Sequence, residues 1–233
     1  ERCLGVRDRR GLASSKPGLW IEAPRTVSEP VVYLTYAELE RLIAKTREVA
    51  TEQDALMVAL MGNIGLRPGE VYALAVGDVD LRTLTTDGKR TVVGSSPKTR
   101  AGIRAVPIAP HLVDALRAQI GRRPKTATVF PTSTGTPLNP SNWRHRAFNP
   151  AVKAAGLPGG LTPKGLRHTA ASLAIAAGAD VLMVQRMLGH ADAKETLNTY
   201  AKLFPDRLDE VSERMSKARE KALKRVQTKT TKH

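Results

Sequence analysis

Residues 161–172, LTPKGLRHTAAS, begin a helix whose first turn carries two cations. Thr162 is a suitable N-cap and Pro163 is tolerated in a first turn, so a helix is predicted to begin here. Lys164 and Arg167 then lie three residues apart on one helix face. They repel each other and the positive end of the helix dipole, at a cost of about 0.3 kcal/mol each. This unfavourable pair indicates that an anion binds at the helix start, although chance would also place two surface cations this way.

The chain on either side of this stretch has mostly helical patterns. Thr35 with Glu38 three residues later forms a capping box, which predicts a helix running to about Ala50. A second helix is predicted over Asp54–Ile64, closed by Gly65 because glycine readily adopts the left-handed conformation. A third helix is predicted to begin at Pro68. Further helices are predicted over His111–Ile120, Asn142–Ala155, Pro163–Ala177, Val181–Leu188 and Thr196–Leu203.

The region between Val79 and Ile108 has a different pattern. Two β-prone runs, Arg90–Val93 and Ile103–Ile108, flank the polar turn 94–102 and predict a small antiparallel hairpin. The predicted fold class is therefore α+β, mainly α, with a small antiparallel β-sheet.

Three segments are predicted along the chain. Residues 1–30 contain several arginines among Gly, Pro and Ser without steady periodicity, which indicates a linker or the remnant of an upstream domain. Residues 31–205 hold the predicted helices and the hairpin. Residues 206–233 form a charged tail with a predicted amphipathic helix over Asp206–Val226, which is a candidate for docking onto a neighbouring subunit.

The composition favours a polyanionic partner. Lys and Arg number 37 against 22 Asp and Glu, which gives a net charge of +15. Aromatic residues make up only 4%, so stacking on single-stranded bases is a poor main binding mode and duplex DNA is favoured. Cys3 is the single cysteine, which excludes an internal disulfide, offers no close cysteine pair for zinc and fits a reducing cytoplasm. No stretch approaches the ~20 apolar residues of a membrane span.

Four further residues are candidates for chemistry. Arg67 lies in GLRPGE between two predicted helices, and Lys98 lies in the polar turn of the hairpin. His190 follows the end of a predicted helix, and Tyr200 lies in the next one. Taken singly, each fits an ordinary role: a surface arginine, a solvated lysine, a helix C-cap and an amphipathic surface tyrosine.

Taken in order, the candidates resemble the catalytic signature of the tyrosine recombinase or phage integrase family, and the resemblance covers about Val31 to Phe204. The matching residues are Arg67, Lys98, Lys164, Arg167, His190 and Tyr200, within the segments GLRPGE, SPKTRAGIRAVPI, TPKGLRHTAAS and MLGHADAKETLNTYA.

The resemblance implies that Tyr200 attacks a scissile phosphate and forms a 3′-phosphotyrosine, leaving a free 5′-hydroxyl. It implies no metal and no cofactor, because fixed cations stabilise the developing negative charge. Arg67 and Arg167 would hold the non-bridging oxygens, a task that suits planar bidentate donors.

The remaining roles are implied in the same way. Lys98 would protonate the leaving 5′-oxygen, and His190 would hydrogen-bond a non-bridging oxygen. Glu70 would support the cations as a neighbouring carboxylate. Lys164 departs from the commonest family pattern, which has histidine there. Because a lysine of pKa ~10.4 is mostly protonated at neutral pH, its expected role is electrostatic and positioning, and a role as base is doubtful.

The resemblance also implies partners: duplex DNA, a homo-tetramer on paired recombination sites, and in some members a DNA-bending accessory protein. Family members close around DNA with an N-terminal core-binding domain that is not recognisable in residues 1–30. Two alternatives to a site-specific recombinase stay open. A type IB topoisomerase shares the phosphotyrosine chemistry, and a non-catalytic integrase remnant would bind DNA without cleaving it. The compact spacing of the candidate residues along the chain favours a recombinase over a topoisomerase. The intact set of cations together with Tyr200 argues against a non-catalytic remnant.

Overall fold

The computed structural model describes residues 32–81, 91–93, 104–204, 209 and 212–221. Every described residue belongs to one compact unit within residues 31–233. The predicted linker 1–30, the hairpin turn with Lys98 and parts of the C-terminal tail lie outside the described residues.

Helices dominate the described residues. Three short 3₁₀ turns, Val76–Asp78, Pro110–Leu112 and Ala201–Leu203, accompany them. The α-helices are α1 (Tyr36–Val49), α2 (Glu52–Ile64), α3 (Pro68–Ala73), α4 (Val113–Ile120), α5 (Pro140–Trp143), α6 (Asn149–Ala154), α7 (Pro163–Ala176), α8 (Val181–Leu188) and α9 (Ala193–Tyr200).

The first two helices form where their caps predict. Thr35 Oγ1 accepts from the Glu38 backbone N–H at 3.3 Å, and the Glu38 carboxylate accepts from the Thr35 N–H at 2.8 Å. Helix α2 begins two residues earlier than predicted because Thr51 caps it through the Asp54 N–H at 3.1 Å. It ends at Gly65, whose φ of 70° lies in the left-handed region that glycine tolerates.

Helix α2 is the centre of the core. It is buried over nearly its whole surface and packs against both α1 and α7. The approach of α1 is close, since a β-carbon added to Gly62 would lie 2.4 Å from Leu39 Cδ1. At the start of α2, the buried carboxylate of Asp54 accepts a hydrogen bond from Trp143 Nε1 at 2.7 Å. Each fully buried leucine of this core contributes about 1.5–3 kcal/mol to the stability of the fold.

A two-stranded antiparallel sheet confirms the predicted hairpin pairing. Strand β1 (Thr91–Val93) pairs with β2 (Ala105–Pro107), with Val92 opposite Val106. Strand β2 is shorter than the predicted run Ile103–Ile108, since residues 104 and 108 lie outside it. Side chains at 104, 106 and 108 are buried, and those at 105 and 107 are exposed, as a half-buried strand requires.

Two further helical predictions differ in detail from the structure. The helix predicted over Asn142–Ala155 starts at Pro140, because Asn139 caps it, and passes through a π-helical segment, Arg144–Phe148, before α6. Pro150 has no N–H to donate to the carbonyl one turn earlier, which favours the wider π turn. The helix predicted from Thr196 starts at Ala193, because Asp192 Oδ1 accepts from the Lys194 N–H at 3.0 Å.

Residues 212–221 of the tail are helical with exposed side chains. No helix in the described ranges is both long and apolar enough to cross a lipid bilayer. A second, smaller cluster of buried side chains lies beside the main core, and it places the last helix α9 against α7 and α8. Its members are Ala171, Ile175, Val184, Leu188 and Tyr200.

Candidate active site

One cavity of about 540 Å³ brings most of the predicted site residues together. Five of the six predicted catalytic residues line it, and the sixth, Lys98, lies outside the described residues. We call it the cationic cavity, and its lining is Arg67, Pro68, Lys164, Arg167, His168, His190, Glu195, Thr199 and Tyr200.

Helix α7 supplies three of these side chains from its first turns. Thr162 caps the helix by accepting from the Gly165 N–H at 3.1 Å, and Pro163 occupies the first turn, as predicted. Lys164 is exposed at the cavity, whereas Arg167, on the same helix face, is only 6% exposed. The start of α7 therefore presents one exposed cation and one buried cation to the same space.

Arg167 is fixed by two backbone carbonyls. Its Nη1 donates to the Gly65 carbonyl at 2.7 Å, and its Nη2 donates to the Leu188 carbonyl. Burial first, and then the nearby charges of Arg67 and Arg104, lower the pKa of Arg167 to about 9. The group is still protonated at neutral pH. Burial is the largest cause of the shift, but the lowering by Arg67 and Arg104 also exceeds the raising by Glu70 and Tyr200, so positive charge exceeds negative charge around this guanidinium. A bound anion would relieve that excess.

Glu70 holds two further arginines. Its carboxylate accepts from Arg67 Nη1 at 3.0 Å and from the Arg67 backbone N–H at 2.7 Å. The same carboxylate accepts from Arg104 Nη1 at 2.7 Å and Nη2 at 2.9 Å. Burial alone would raise the pKa of Glu70, but the hydrogen bonds from Arg104 and Arg67 outweigh it and hold the pKa below its usual value. Glu70 is therefore ionised at neutral pH and orients both guanidinium groups.

Arg104 has no role in the sequence-based site, and the structure places it beneath the cavity. Its side chain is 7% exposed, as is that of Glu70, while the side chain of Arg67 keeps 40% exposure toward the cavity. A signal for Arg104 was present in the sequence. In the predicted strand Ile103–Ile108, it has the same parity as the apolar Val106 and Ile108, so it faces the core with them.

The C-terminal end of α8 receives all three arginines. Arg104 Nε donates to the Met187 carbonyl at 2.8 Å, Arg167 Nη2 to the Leu188 carbonyl, and Arg67 Nη2 to the Gly189 carbonyl at 3.1 Å. The last carbonyls of a helix have no partner within the helix and carry its negative dipole end, so cations bind them well. Gly189, with φ of 62°, closes the helix and turns the chain toward His190.

His190 is a neutral hydrogen-bonding group at the cavity. Its Nδ1 lies 2.9 Å from Thr196 Oγ1, and its Nε2 lies 3.5 Å from a carboxylate oxygen of Glu195. Burial, together with the charges of Arg167, Arg67 and Arg104, lowers its pKa to about 4 even though Glu195 opposes the shift. With Thr196 donating to Nδ1, the Nε2–H is the ring donor left for an anion in the cavity.

Tyr200 lies in the smaller core with its hydroxyl at the cavity. The residue is 1% exposed, and its ring lies against Tyr33 with centroids 6.5 Å apart. The hydroxyl is 2.7 Å from His168 Nδ1. Burial raises the pKa of Tyr200 to about 12, against the opposing effect of Arg167. Tyr200 is therefore a neutral phenol in the DNA-free protein, and His168 is a second site residue to which the sequence analysis gave no role.

Within the described ranges, no group of three or more His, Cys, Asp or Glu side chains is arranged to hold a metal ion. The positive charges at the cavity are supplied by Arg67, Lys164 and Arg167, with Arg104 behind them. Such an arrangement can bind a phosphate and stabilise added negative charge on it, with a phenol beside it as a nucleophile.

Comparison with known proteins places this site in a family. The sequence profile of the phage integrase family matches residues 32–207. The curated tyrosine recombinase XerC of Mesorhizobium japonicum is 30% identical over 206 residues, which cover 83% of this chain and 62% of that protein. This chain therefore spans about three-fifths of the length of that relative.

Solved structures show the same fold. The crystal structure of XerA recombinase has a TM-score of 0.60 at 26% identity, covering 83% of this chain and 66% of the other. The catalytic domain of bacteriophage HP1 integrase has a TM-score of 0.59 at 25% identity, covering 79% of this chain and 95% of the other. Because the family profile matches most of its length, this chain belongs to the phage integrase family of tyrosine recombinases.

Proposed function

We propose that this chain is the catalytic part of a site-specific DNA recombinase that cleaves and rejoins duplex DNA through a 3′-phosphotyrosine at Tyr200. The observation that carries the proposal is the cationic cavity, which holds a phenol and fixed guanidinium groups around a space of about 540 Å³. The net charge of +15 supports DNA as the partner.

In the proposed reaction, Arg67 and Arg167 hold the two non-bridging oxygens of the scissile phosphate. Both guanidinium groups are already oriented, by Glu70 and by backbone carbonyls, so little reorganisation is needed when charge develops. The Nε2–H of His190 donates a further hydrogen bond to the same phosphate. No metal is required in this scheme, because these groups supply the positive potential.

The proton transfers need a donor and an acceptor. We assign the donor to Lys98, which would protonate the leaving 5′-oxygen. Lys164 is exposed at the cavity and has no hydrogen bond to Tyr200 within the described part of the chain. Its proposed role is therefore electrostatic: it attracts and positions the phosphate. The pKa of Tyr200, raised to about 12, favours loss of its proton while the bond to phosphorus forms.

The proposed organisation follows the sequence-based segments. Residues 31–205 form the catalytic domain, and the basic tail 206–233 docks onto a neighbouring subunit. From the family resemblance alone, the proposed assembly is a homo-tetramer on paired recombination sites in duplex DNA, in the cytoplasm, with a DNA-bending accessory protein at some sites. Binding is expected to weaken steeply with salt, because phosphate contacts supply most of its strength.

A covalent-adduct assay tests the function. Nicked suicide duplexes tiled across the DNA that flanks the gene are incubated with the protein and separated on a denaturing gel. The wild-type chain should form a protein–DNA adduct that Tyr200→Phe cannot form. Tyr36→Phe is the matched control, since Tyr36 is 55% exposed on α1 and should leave the adduct unchanged.

The outcomes separate the alternatives. An adduct with strand transfer between two different duplexes supports a recombinase. An adduct with relaxation of a supercoiled plasmid and no strand transfer indicates a type IB topoisomerase. DNA binding with no adduct on any duplex means a non-catalytic remnant and overturns the proposal.

A further inference from the structure

We propose that His168 is a further catalytic residue, which accepts the phenolic proton of Tyr200 as the phenolic oxygen attacks the phosphate. This inference rests on the proposed function. It fills the position of proton acceptor, for which the sequence offered only Lys164.

The geometry places the imidazole directly on the nucleophile. His168 Nδ1 lies 2.7 Å from Tyr200 Oη, which is hydrogen-bonding distance for a direct proton transfer. The two ring centroids are 5.8 Å apart at an interplanar angle of 51°. Both residues line the cationic cavity, so the shared proton lies at the edge of the proposed phosphate position. Helix α7 carries His168 and helix α9 carries Tyr200, and both helices are packed against the smaller core.

The other candidate acceptors are less suitable. Lys164, one turn before His168 on the same face of α7, is exposed and has no hydrogen bond to the Tyr200 hydroxyl in the described structure. His190 is neutral, but its Nδ1 is bonded to Thr196 Oγ1, and its ring is proposed to donate to the phosphate. Within the described residues, His168 is therefore the neutral base in contact with the Tyr200 hydroxyl.

The surroundings keep His168 neutral. Burial, followed by the charges of Lys164 and Arg167 on its own helix, lowers the pKa of His168 below its ordinary value of 6.5. From α9, Tyr200 faces it as a neutral phenol. The other titratable groups that line the cavity are Arg67, His190 and Glu195, and Tyr33 lies against the Tyr200 ring. At neutral pH, His168 therefore has an unprotonated nitrogen for Tyr200, and the tautomer with hydrogen on Nε2 places it at Nδ1.

In the proposed step, one bond to phosphorus forms, one breaks and two protons move. The bond from Tyr200 Oη to phosphorus forms while the bond from phosphorus to the 5′-oxygen breaks. The phenolic proton moves to His168 Nδ1, and the leaving oxygen takes a proton from Lys98, the donor in the proposed function. When a 5′-hydroxyl attacks the phosphotyrosine, both protons return, and His168 protonates the departing Tyr200.

A measurement without DNA tests the hydrogen bond in the whole chain. In ¹⁵N-labelled protein at pH 7.5, the Nδ1 resonance of His168 should have the shift of an unprotonated nitrogen accepting a hydrogen bond. In Tyr200→Phe the same resonance should move toward the value of a free imine nitrogen. A protonated Nδ1 in the wild type would show that His168 donates to the phenol, which overturns the inference.

Kinetics on the suicide duplexes test the catalytic role. His168→Asn keeps a hydrogen-bonding group near Nδ1 but removes the base, so single-turnover adduct formation should slow by about 10²-fold or more with DNA affinity unchanged. The wild-type rate should fall as pH drops and His168 becomes protonated. This fall in rate at low pH should be absent in His168→Asn. The matched control is His111→Asn, because His111 is exposed; it should cleave at the wild-type rate and show the same fall at low pH.

The two proposals fail in different ways. Suppose that wild type forms the adduct and Tyr200→Phe does not. If His168→Asn then cleaves at the wild-type rate, or its rate still falls at low pH as in wild type, the base is another group and only this inference is wrong. If added imidazole restores cleavage to His168→Gly, proton transfer is directly supported, because a purely structural role would not be rescued. If wild type forms no adduct, the proposed function falls and this inference falls with it.

Discussion

The buried ion pair between Arg104 and Glu70 gives the sharpest prediction about stability. Arg104→Met removes a guanidinium that donates to both oxygens of Glu70, at 2.7 and 2.9 Å, and to the Met187 carbonyl at 2.8 Å. Both side chains of the pair are only 7% exposed, so water cannot replace the lost bonds.

The expected loss in the free energy of unfolding depends on the hydrogen bonds that Glu70 retains in Arg104→Met. Removing one partner of a buried ion pair typically costs about 3–5 kcal/mol, because the remaining charge is uncompensated. Glu70 still accepts from the side chain and the backbone of Arg67, which places the expected loss at the lower end, about 3 kcal/mol. The double variant Glu70→Gln with Arg104→Met removes both charges and should cost about 2 kcal/mol less than the sum of the single changes.

Urea unfolding followed by circular dichroism measures these free energies of unfolding. Arg117→Met is the matched control, because Arg117 pairs with Asp114 on the surface, where the two side chains are 55% and 91% exposed. Its cost should stay within about 0.5 kcal/mol. If Arg104→Met and Arg117→Met cost the same, or if the double variant shows no coupling, the buried pair does not stabilise the site as argued.

Three further predictions concern packing, pH and the cavity. Gly62→Ala should destabilise by about 1–3 kcal/mol, because its β-carbon would meet the side chain of Leu39, whereas Gly69→Ala, with open space around its β-carbon, should cost nothing in the same urea experiment. The pKa of Glu70 is held below its ordinary value of 4.5, so the stability that its ionised form contributes is present above pH 4.5 and is lost as pH falls below it. In thermal melts, Glu70→Gln should therefore lose less stability than the parent between pH 5 and pH 3. An equal loss in the two proteins would contradict this assignment. Lys164→Met should slow adduct formation about tenfold or more at neutral pH and Lys164→His less, whereas cleavage of Lys164→Met at the parent rate would remove any catalytic weight from this position.

Local signals in the sequence determined most of the secondary structure. The capping box at Thr35 and Glu38, the glycine at Gly65 and the Thr162 cap act within one helical turn, so neighbouring residues are enough to specify them. The missed helix start at Ala193 also had a local signal, since Asp192 is a good N-cap. The order and spacing of the predicted site residues likewise identified the family.

The tertiary structure alone decided which side chains support the chemistry. Arg104 meets the Met187 carbonyl across 83 residues, and His168 meets Tyr200 across 32. The strand alternation indicates that Arg104 faces the core, but the sequence does not indicate the partner in either contact, because both depend on how separate elements pack together. Burial acts in the same way: it raises the pKa of Tyr200 and lowers that of His168, and the depth of a side chain is a property of the assembled core.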